Sequence, residues 1–414
     1  MTQSSRRELR ERLLAYWHEH RSTTRGDGSR EESSDDVVYN VFDGYSIPRK
    51  RSRHLRWEVT QERYVRLLAL LGPDIDDEVR TCLSEIAAHA PSRLSPAVDL
   101  DWSAWGLSMY DPSFLLQLTE AYYIDDRDDR GGSLWNGIRH HEPRGGRALN
   151  GPTRGPFWAL MRSCSVEDWG PVVNRILNHA ARVLCTLDER EGSPTSYRTI
   201  TLAIDGTKRD YVGDDTVWGW YRGNTGGPYP CVSALQAVEL WIDRSVAAGA
   251  SMDIVAAALL KGCENLAIPG VIVGAAIRHF GVDQRSLDRY LVEPSIWGFE
   301  QYRAVKESIG FLRSPDDGIT NPERRSLQLA SIVPTLVLSA DASRREELKG
   351  LGTDLIENAP RSVIENSRVR RWAALFDASN IRTKRVQGGI EISVKEPDDI
   401  EQELAPVRAD LERE

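Results

Sequence analysis

The chain has 414 residues, 40% apolar and 28% charged, with a formal net charge of −9 and a pI of about 5.6. That balance belongs to a soluble globular protein with room for two or three domains or one elongated repeat array. Its acidity argues against nonspecific coating of nucleic acid.

Arginine outnumbers lysine 46 to 7, the bias of GC-rich bacterial coding. Five widely spaced cysteines (Cys82, Cys164, Cys185, Cys231, Cys263) with no CxxC fit reduced, buried thiols. The start, MTQSSRRELRERLLAYW, lacks the apolar core of a signal peptide. The longest strongly apolar run, 266–277, falls short of the roughly 20 residues that span a bilayer. These features predict a cytoplasmic protein with no membrane partner.

In chain order, Leu9, Leu13, Leu14 and Trp17 lie at helical spacing within 4–20, and a polar linker follows at 21–36. VVYNVF (37–42) reads as a strand or docking segment, and RKRSRHLR (49–56) as a solvated basic turn. Helices are predicted over 60–71, closed by Gly72-Pro73, and over 76–89, with Val79, Cys82, Leu83, Ile86 and Ala87 on one face. Asp111-Pro112 predicts an N-cap and first turn for a helix reaching Tyr123.

Residues 124–156 form a long Gly/Arg/Asp-rich insertion, either functional or unstructured by its length. Helices resume over 157–164 and 166–187. A hairpin is expected around Asp205-Gly206 with WGWYRG (218–223) continuing the sheet. Three apolar helices follow near 231–248, 251–262 and 267–280. Then come helices over 283–291, 296–312, 322–340, 343–358 and 361–378, a hairpin over 381–394 turning at Gly388-Gly389, and a charged terminal helix.

The fold class expected is mainly α, a HEAT-like or related α/α helical array with small β-hairpin insertions. Helix pairs of about 35–45 residues across 157–378 motivate it. The boundaries expected are 1–36, 37–123, 124–222, 223–380 and 381–414.

Catalytic signatures are scarce. Gly-Lys occurs nowhere, so there is no P-loop, and HExxH, GxSxG, GxGxxG after a strand and an EF-hand loop are absent from the sequence. No cofactor is expected. Asp125, Asp126, Asp128 and Asp129 suit a hard cation, but Arg127 and Arg130 interleave with them, and a mutually paired loop explains them better.

His140 and His141 are adjacent and point apart, which opposes a shared metal. Arg127, Arg130, Arg139, Arg144, Arg147 and Arg154 with the loop glycines can cradle phosphate or nucleic acid, although pairing with acidic surface elsewhere explains them better. Trp158, just beyond, is grouped with this candidate surface. Asn174 and Asn178 share a helix face with His179 one step round, and hydrogen bonding to neighbouring loops explains them better than catalysis. Trp218, Trp220 and Tyr229 among glycines read as packing first and as a ligand platform second. Cys231 sits at a helix start, where exposure would lower a thiol pKa. Glu239 and Asp243, one turn apart on one helix, have the spacing of paired acids, but Arg244 beside them makes a surface reading easier.

GIRHH (137–141), RGPFWALM (154–161), VVNRILNHAA (172–181) and GGPYPCVSALQAVELWID (226–243) together resemble the helical region of large bacterial ATP-binding proteins of unassigned role. The resemblance covers about 110–340. It implies a non-catalytic helical arm, normally joined to a nucleotidase module in a longer chain. The Walker motif is missing here, so any ATP chemistry is expected in a partner and the chain reads as a stand-alone or split arm. The expected function is therefore a scaffold or sensor module that binds a protein partner, an ATPase among the candidates. The alternatives are a hydrolase with paired carboxylates in an α/α cavity and nucleic-acid binding through Arg-rich 127–154.

Overall fold

The computed structural model describes residues 3–20, 63–99, 101–124, 134–135, 137–139, 155–187, 196–204, 206–223, 226–281, 285–309, 318–360, 362–386, 389–395 and 400. Most of them are helical, with small two-stranded antiparallel sheets between the helices, so the chain is mainly α with β-hairpin insertions. The expected features at 21–36, 37–42 and 49–56 lie outside the described residues, as do Asp125, Asp126, Arg127, Asp128, Asp129, Arg130, His140, His141, Arg144, Arg147, Arg154 and the charged C-terminal segment. No helix among the described residues is long and apolar enough to cross a membrane. The chain divides into two compact units, Met1–Val172 and Val173–Glu414.

In the first unit, α1 (Gln3–His20) buries Leu13, Leu14 and Trp17 as its apolar spacing requires. Trp17 stacks on Tyr64 of α2 (63–69), with ring centroids 6.2 Å apart. The opposite face of α1 is polar, and Arg6 Nε donates to Asp74 at 2.8 Å. α3 (Asp77–His89) starts where Asp76 Oδ1 accepts from Val79 N, and of the predicted face it buries Val79, Cys82, Leu83 and Ile86 and leaves Ala87 half-buried.

After the short α4 (Ser95–Val98) comes α5 (Asp101–Tyr110). α6 (Pro112–Tyr123) then opens as its sequence dictates: Asp111 Oδ1 accepts from Phe114 N at 3.1 Å, and Pro112 occupies the first turn, where no amide is needed. β1 (Leu134–Trp135) pairs with β2 (Ile138–Arg139), and α7 (Phe157–Ser163) closes the set.

α8 (Val166–Leu184) leads into the second unit. There β3 (Thr186–Leu187) pairs with β4 (Ser196–Tyr197), and β5 (Thr199–Leu202) with β6 (Arg209–Val212). The β5–β6 connection spans 203–208, so the hairpin at Asp205-Gly206 is present but its loop is longer than a two-residue turn. WGWYRG does not continue that sheet. Asp214 caps a short helix, α9 (Asp215–Trp218), by accepting from Thr216 N and Val217 N, and the chain turns on as a 3-10 segment, Trp220–Arg222.

The three central helices are α10 (Tyr229–Ala247), α11 (Met252–Leu260) and α12 (Ala267–Arg278). Every residue of α12 is buried, because other elements cover its whole circumference. Two of its glycines make this possible. A Cβ at Gly270 would lie 2.3 Å from the Trp218 carbonyl oxygen, and one at Gly274 would lie 2.4 Å from the Tyr221 hydroxyl.

α13 (Asp288–Leu291), α14 (Pro294–Ile309), a 3-10 turn (Pro322–Ser326), α15 (Leu329–Ser339), α16 (Ala342–Glu357) and α17 (Val363–Ala373) follow. β7 (Ile381–Val386) and β8 (Gly389–Val394) form the last hairpin. Val386 pairs with Gly389, so Gly389 belongs to β8 and not to the turn expected at Gly388-Gly389.

Candidate functional site

The glycine-rich stretch before α10 was the sequence's aromatic candidate, and its rings point inward. Trp218 and Trp220 are fully buried. Trp218 Nε1 donates to Glu300 Oε1 at 2.9 Å, and the Trp220 ring fills the space a side chain at Gly227 would need. Tyr229, the first residue of α10, is half-buried. Packing is what these residues do, and the two indoles offer no face to a ligand. Cys231 is fully buried too, and desolvation pushes its thiol pKa up, opposite to the lowering an exposed helix start would give.

Glu239 and Asp243 overturn the surface expectation. Both are buried on α10, at 1% and 2% exposure, and they face Arg278 at the end of α12. Arg278 Nη1 donates to both Asp243 oxygens at 2.8 Å, and its Nη2 lies 3.2 Å from Glu239 Oε1. Arg325 Nη2 donates to Glu239 Oε2 at 2.7 Å. Asp243 also accepts from Thr320 N at 2.7 Å and contacts His279 Nε2 at 2.8 Å.

A second cluster surrounds Arg303 of α14. Its guanidinium binds Glu300 and Glu307, and Glu307 also takes Arg222. The Arg325 carbonyl accepts from Arg222 Nη2 at 3.0 Å and so joins the two clusters. Four carboxylates (Glu239, Asp243, Glu300, Glu307) meet four guanidinium groups (Arg222, Arg278, Arg303, Arg325), and the formal sum is zero.

Burial alone would raise the Asp243 carboxyl. The hydrogen bonds from His279 and Arg278 outweigh it and hold the group below the usual carboxylate range. Glu307 is likewise held low against its burial, by Arg222 and Arg303. Carboxylates locked in the ionised form cannot donate protons, and their charge is already answered. The network is a device for fixing α10, α12, α14 and the 318–327 segment together.

The two amides of α8 are also absorbed by structure. Asn174 Nδ2 donates to the carbonyls of Leu259 and Lys261 at 3.1 and 3.0 Å. Asn178 Nδ2 donates to Gly262 O, and its Oδ1 accepts from Glu264 N and Asn265 Nδ2 at 3.0 and 2.7 Å. Together they clamp the loop between α11 and α12. His179 and Trp158 are half-buried. Arg139 is buried in β2: its Nε donates to Tyr122 O at 3.0 Å and its Cζ lies 5.8 Å from the Tyr122 ring centre. It is thus not part of an exposed phosphate cradle.

The feature that structure leaves unsatisfied is on α5, which sequence reading passed over. Ser103, Ala104, Leu107 and Ser108 face the core. On the opposite side Trp102 is 77% exposed, Met109 59%, Tyr110 57% and Trp105 40%. The spacing i, i+3, i+7, i+8 places these four on one face, with Gly106 among them. α2 flanks one edge: the Leu70 Cδ2 lies 3.7 Å from where a Gly106 Cβ would sit, and the Tyr110 ring packs over Gly72. Leu67 and Leu70, at 38% and 42% exposure, extend the apolar surface.

α7 flanks the other edge, with Arg162 Cζ 5.7 Å from the Trp105 ring centre. Taking about 200–250 Å² per aromatic side chain, the three exposed rings present on the order of 400 Å² of largely apolar surface. A contiguous patch of that size marks a contact site more often than an accident of composition. DWSAWGLSMY carries apolar residues all round the helix, so periodicity could show neither which face was open nor that one was. No family model matches the chain, and no curated protein matches it significantly.

Proposed function

We propose that the chain is a non-catalytic, mainly α scaffold or sensor module that binds a protein partner through the exposed face of α5. One observation carries this reading: Trp102, Trp105, Met109 and Tyr110 stand out of a helix whose other side is fully packed. Trp, Tyr and Met are the side chains enriched at protein interfaces, and tryptophan leads among energetic hot spots. The charged residues of the second unit support a structural reading, since its buried acids are matched by arginines. Five unpaired cysteines are consistent with a reducing cytoplasm. The HEAT-like or related α/α array remains our reading of how the helices stack. An ATPase, the partner implied by the resemblance, is the first candidate to look for.

The test is affinity capture from the native cytoplasm after nuclease treatment, comparing wild type with a Trp102→Ser/Met109→Ser variant whose helicity is verified by circular dichroism. A stoichiometric partner held by the wild type and lost by the variant is the expected result. Wild-type protein recovered alone, or a partner retained equally by both, would overturn the proposal.

A further inference from the structure

Resting on that reading, we infer that the occupant of the α5 face is an amphipathic helix whose apolar stripe is flanked by carboxylates. Three features of the face specify it.

Charge comes first. Among the described residues, the helices on either side of the face contribute Arg63 and Arg66 from α2 and Arg162 from α7 and no acidic side chain, while α5 itself carries one acid, Asp101, at its start. Arg66 sits one turn before Leu70, and Arg63 one turn before Leu67, so both guanidinium stems start beside the exposed leucines. Arg162 lies over Trp105 on the far edge. Among the described residues none of the three forms an ion pair, whereas Arg6, Arg10 and Arg80 of the same unit all do. An apolar strip with unanswered positive charge on both edges complements an apolar ridge with negative charge on both edges.

Shape is second. Gly106 lets α2 come close: a Cβ there would lie 3.6 Å from the Ala69 carbonyl oxygen and 3.7 Å from Leu70 Cδ2, so the exposed Leu70 adjoins the exposed rings of Trp102 and Tyr110, one turn away on either side. This mixed aliphatic and aromatic surface suits a bulky apolar anchor, with the flanking rings excluding water around it.

Length is third. The face runs from residue 102 to residue 110, eight steps of 1.5 Å or about 12 Å. Anchors at i, i+3 or i+4, and i+7 of a docked helix span about the same distance, which is the helix-in-groove mode. The aliphatic share from Leu67, Leu70 and Met109 favours a protein helix over single-stranded nucleic acid, which would use stacked rings alone along a longer basic track.

The experiment uses the full chain and three fluorescein-labelled helical peptides with the same Leu/Phe stripe, flanked by Glu, by Gln or by Lys, read by anisotropy. A phosphatidylserine-containing vesicle and a single-stranded oligonucleotide serve as competing probes. The Glu peptide is expected to bind at least tenfold tighter than the Lys peptide, and to weaken severalfold between 50 and 500 mM salt. Arg66→Glu/Arg162→Glu should reverse the order of the two peptides. Leu67→Ser/Leu70→Ser should remove the exposed aliphatic part of the face and weaken the Glu and Gln peptides alike by tenfold or more, with unchanged circular dichroism.

Equal binding of Glu and Lys peptides, no binding by any peptide, or tighter binding to the vesicle or oligonucleotide would overturn the inference. Failure of every peptide while partner capture still depends on Trp102 would remove the acidic helix and leave the α5 contact standing. Failure of both would remove the two together.

Discussion

Replacing Asp243 by Asn keeps the shape of the side chain and removes its charge from the centre of the buried network. Asp243 is 2% exposed and accepts from Arg278, His279 and Thr320. The substitution changes four acids against four guanidinium groups into three against four, and leaves Arg278 sharing Glu239 with Arg325. Breaking a buried pair from one side costs about 3–5 kcal/mol, since the remaining charge is desolvated without an answer. That is a large share of the roughly 5–15 kcal/mol that holds a typical domain together. Removing both partners in Asp243→Leu/Arg278→Met restores balance at three against three, and well-packed apolar replacements cost far less than one orphaned charge. The double variant is expected within about 2 kcal/mol of wild type. Urea unfolding gives the totals, and hydrogen exchange in α10 and α12, with α3 as an internal control in the other unit, places the loss. A single variant within about 1 kcal/mol of wild type, or a double variant as costly as the two single losses added, would refute the view that these charges matter as pairs.

Acid should weaken the second unit through the same groups. Asp243 and Glu307 have folded pKa values below the ordinary range, so their contribution is complete above the unfolded values of about 4 and is lost as pH falls through the folded ones. Glu293 and Asp215, raised mainly by burial, act in the opposite sense and offset part of that loss. Melting temperature measured from pH 7 down to 3 should fall below about pH 4, and Asp243→Asn should show a shallower acid limb; superimposable limbs would count against the assignment. Gly270→Ala should cost about 2–3 kcal/mol by driving a methyl into the Trp218 carbonyl, whereas Gly298→Ala, with nothing within 4 Å in α14, should stabilise by up to about 1 kcal/mol. Urea midpoints that rank the two alike would contradict the packing described. Burial raises the thiols of Cys82 and Cys263 to about 12 and those of Cys164 and Cys185 to about 11. Native protein should therefore react slowly with a disulfide reagent at pH 7 and yield all five thiols on unfolding; rapid labelling of the native chain would show an exposed, activated cysteine.

Local chemistry was the legible part of the fold. Asp111-Pro112 announced the start of α6, Gly72-Pro73 the end of α2, and the central apolar runs became α10, α11 and α12 near their expected limits. WGWYRG follows a hairpin in sequence without extending it, and Asp214, two residues ahead of Thr216, is the N-cap signal that marks the change to helix. The burial of Glu239 and Asp243 was not legible, because what neutralises them lies far off in sequence. Arg278 is 35 residues beyond Asp243, and Arg325 is 86 beyond Glu239. Neighbouring Arg244 offered a local partner that the fold does not need. The open side of α5 was hidden for the opposite reason, since only packing decides which apolar face a neighbour covers.

Two inversions of the usual inside–outside rule remain, and they differ in kind. The network of Arg222, Glu239, Asp243, Arg278, Glu300, Arg303, Glu307 and Arg325 closes on itself: each acid has its guanidinium, the formal sum is zero, and these groups hold helices in register. Aromatic surface on α5 stays largely open beyond the contacts of Tyr110 with Gly72 and of Trp105 with Arg162, and among the described residues the arginines at its edges form no ion pair. A satisfied anomaly explains stability, and an unsatisfied one asks for something outside the chain. On that ground the first partner to seek is one whose apolar ridge and acidic margins would complete α5.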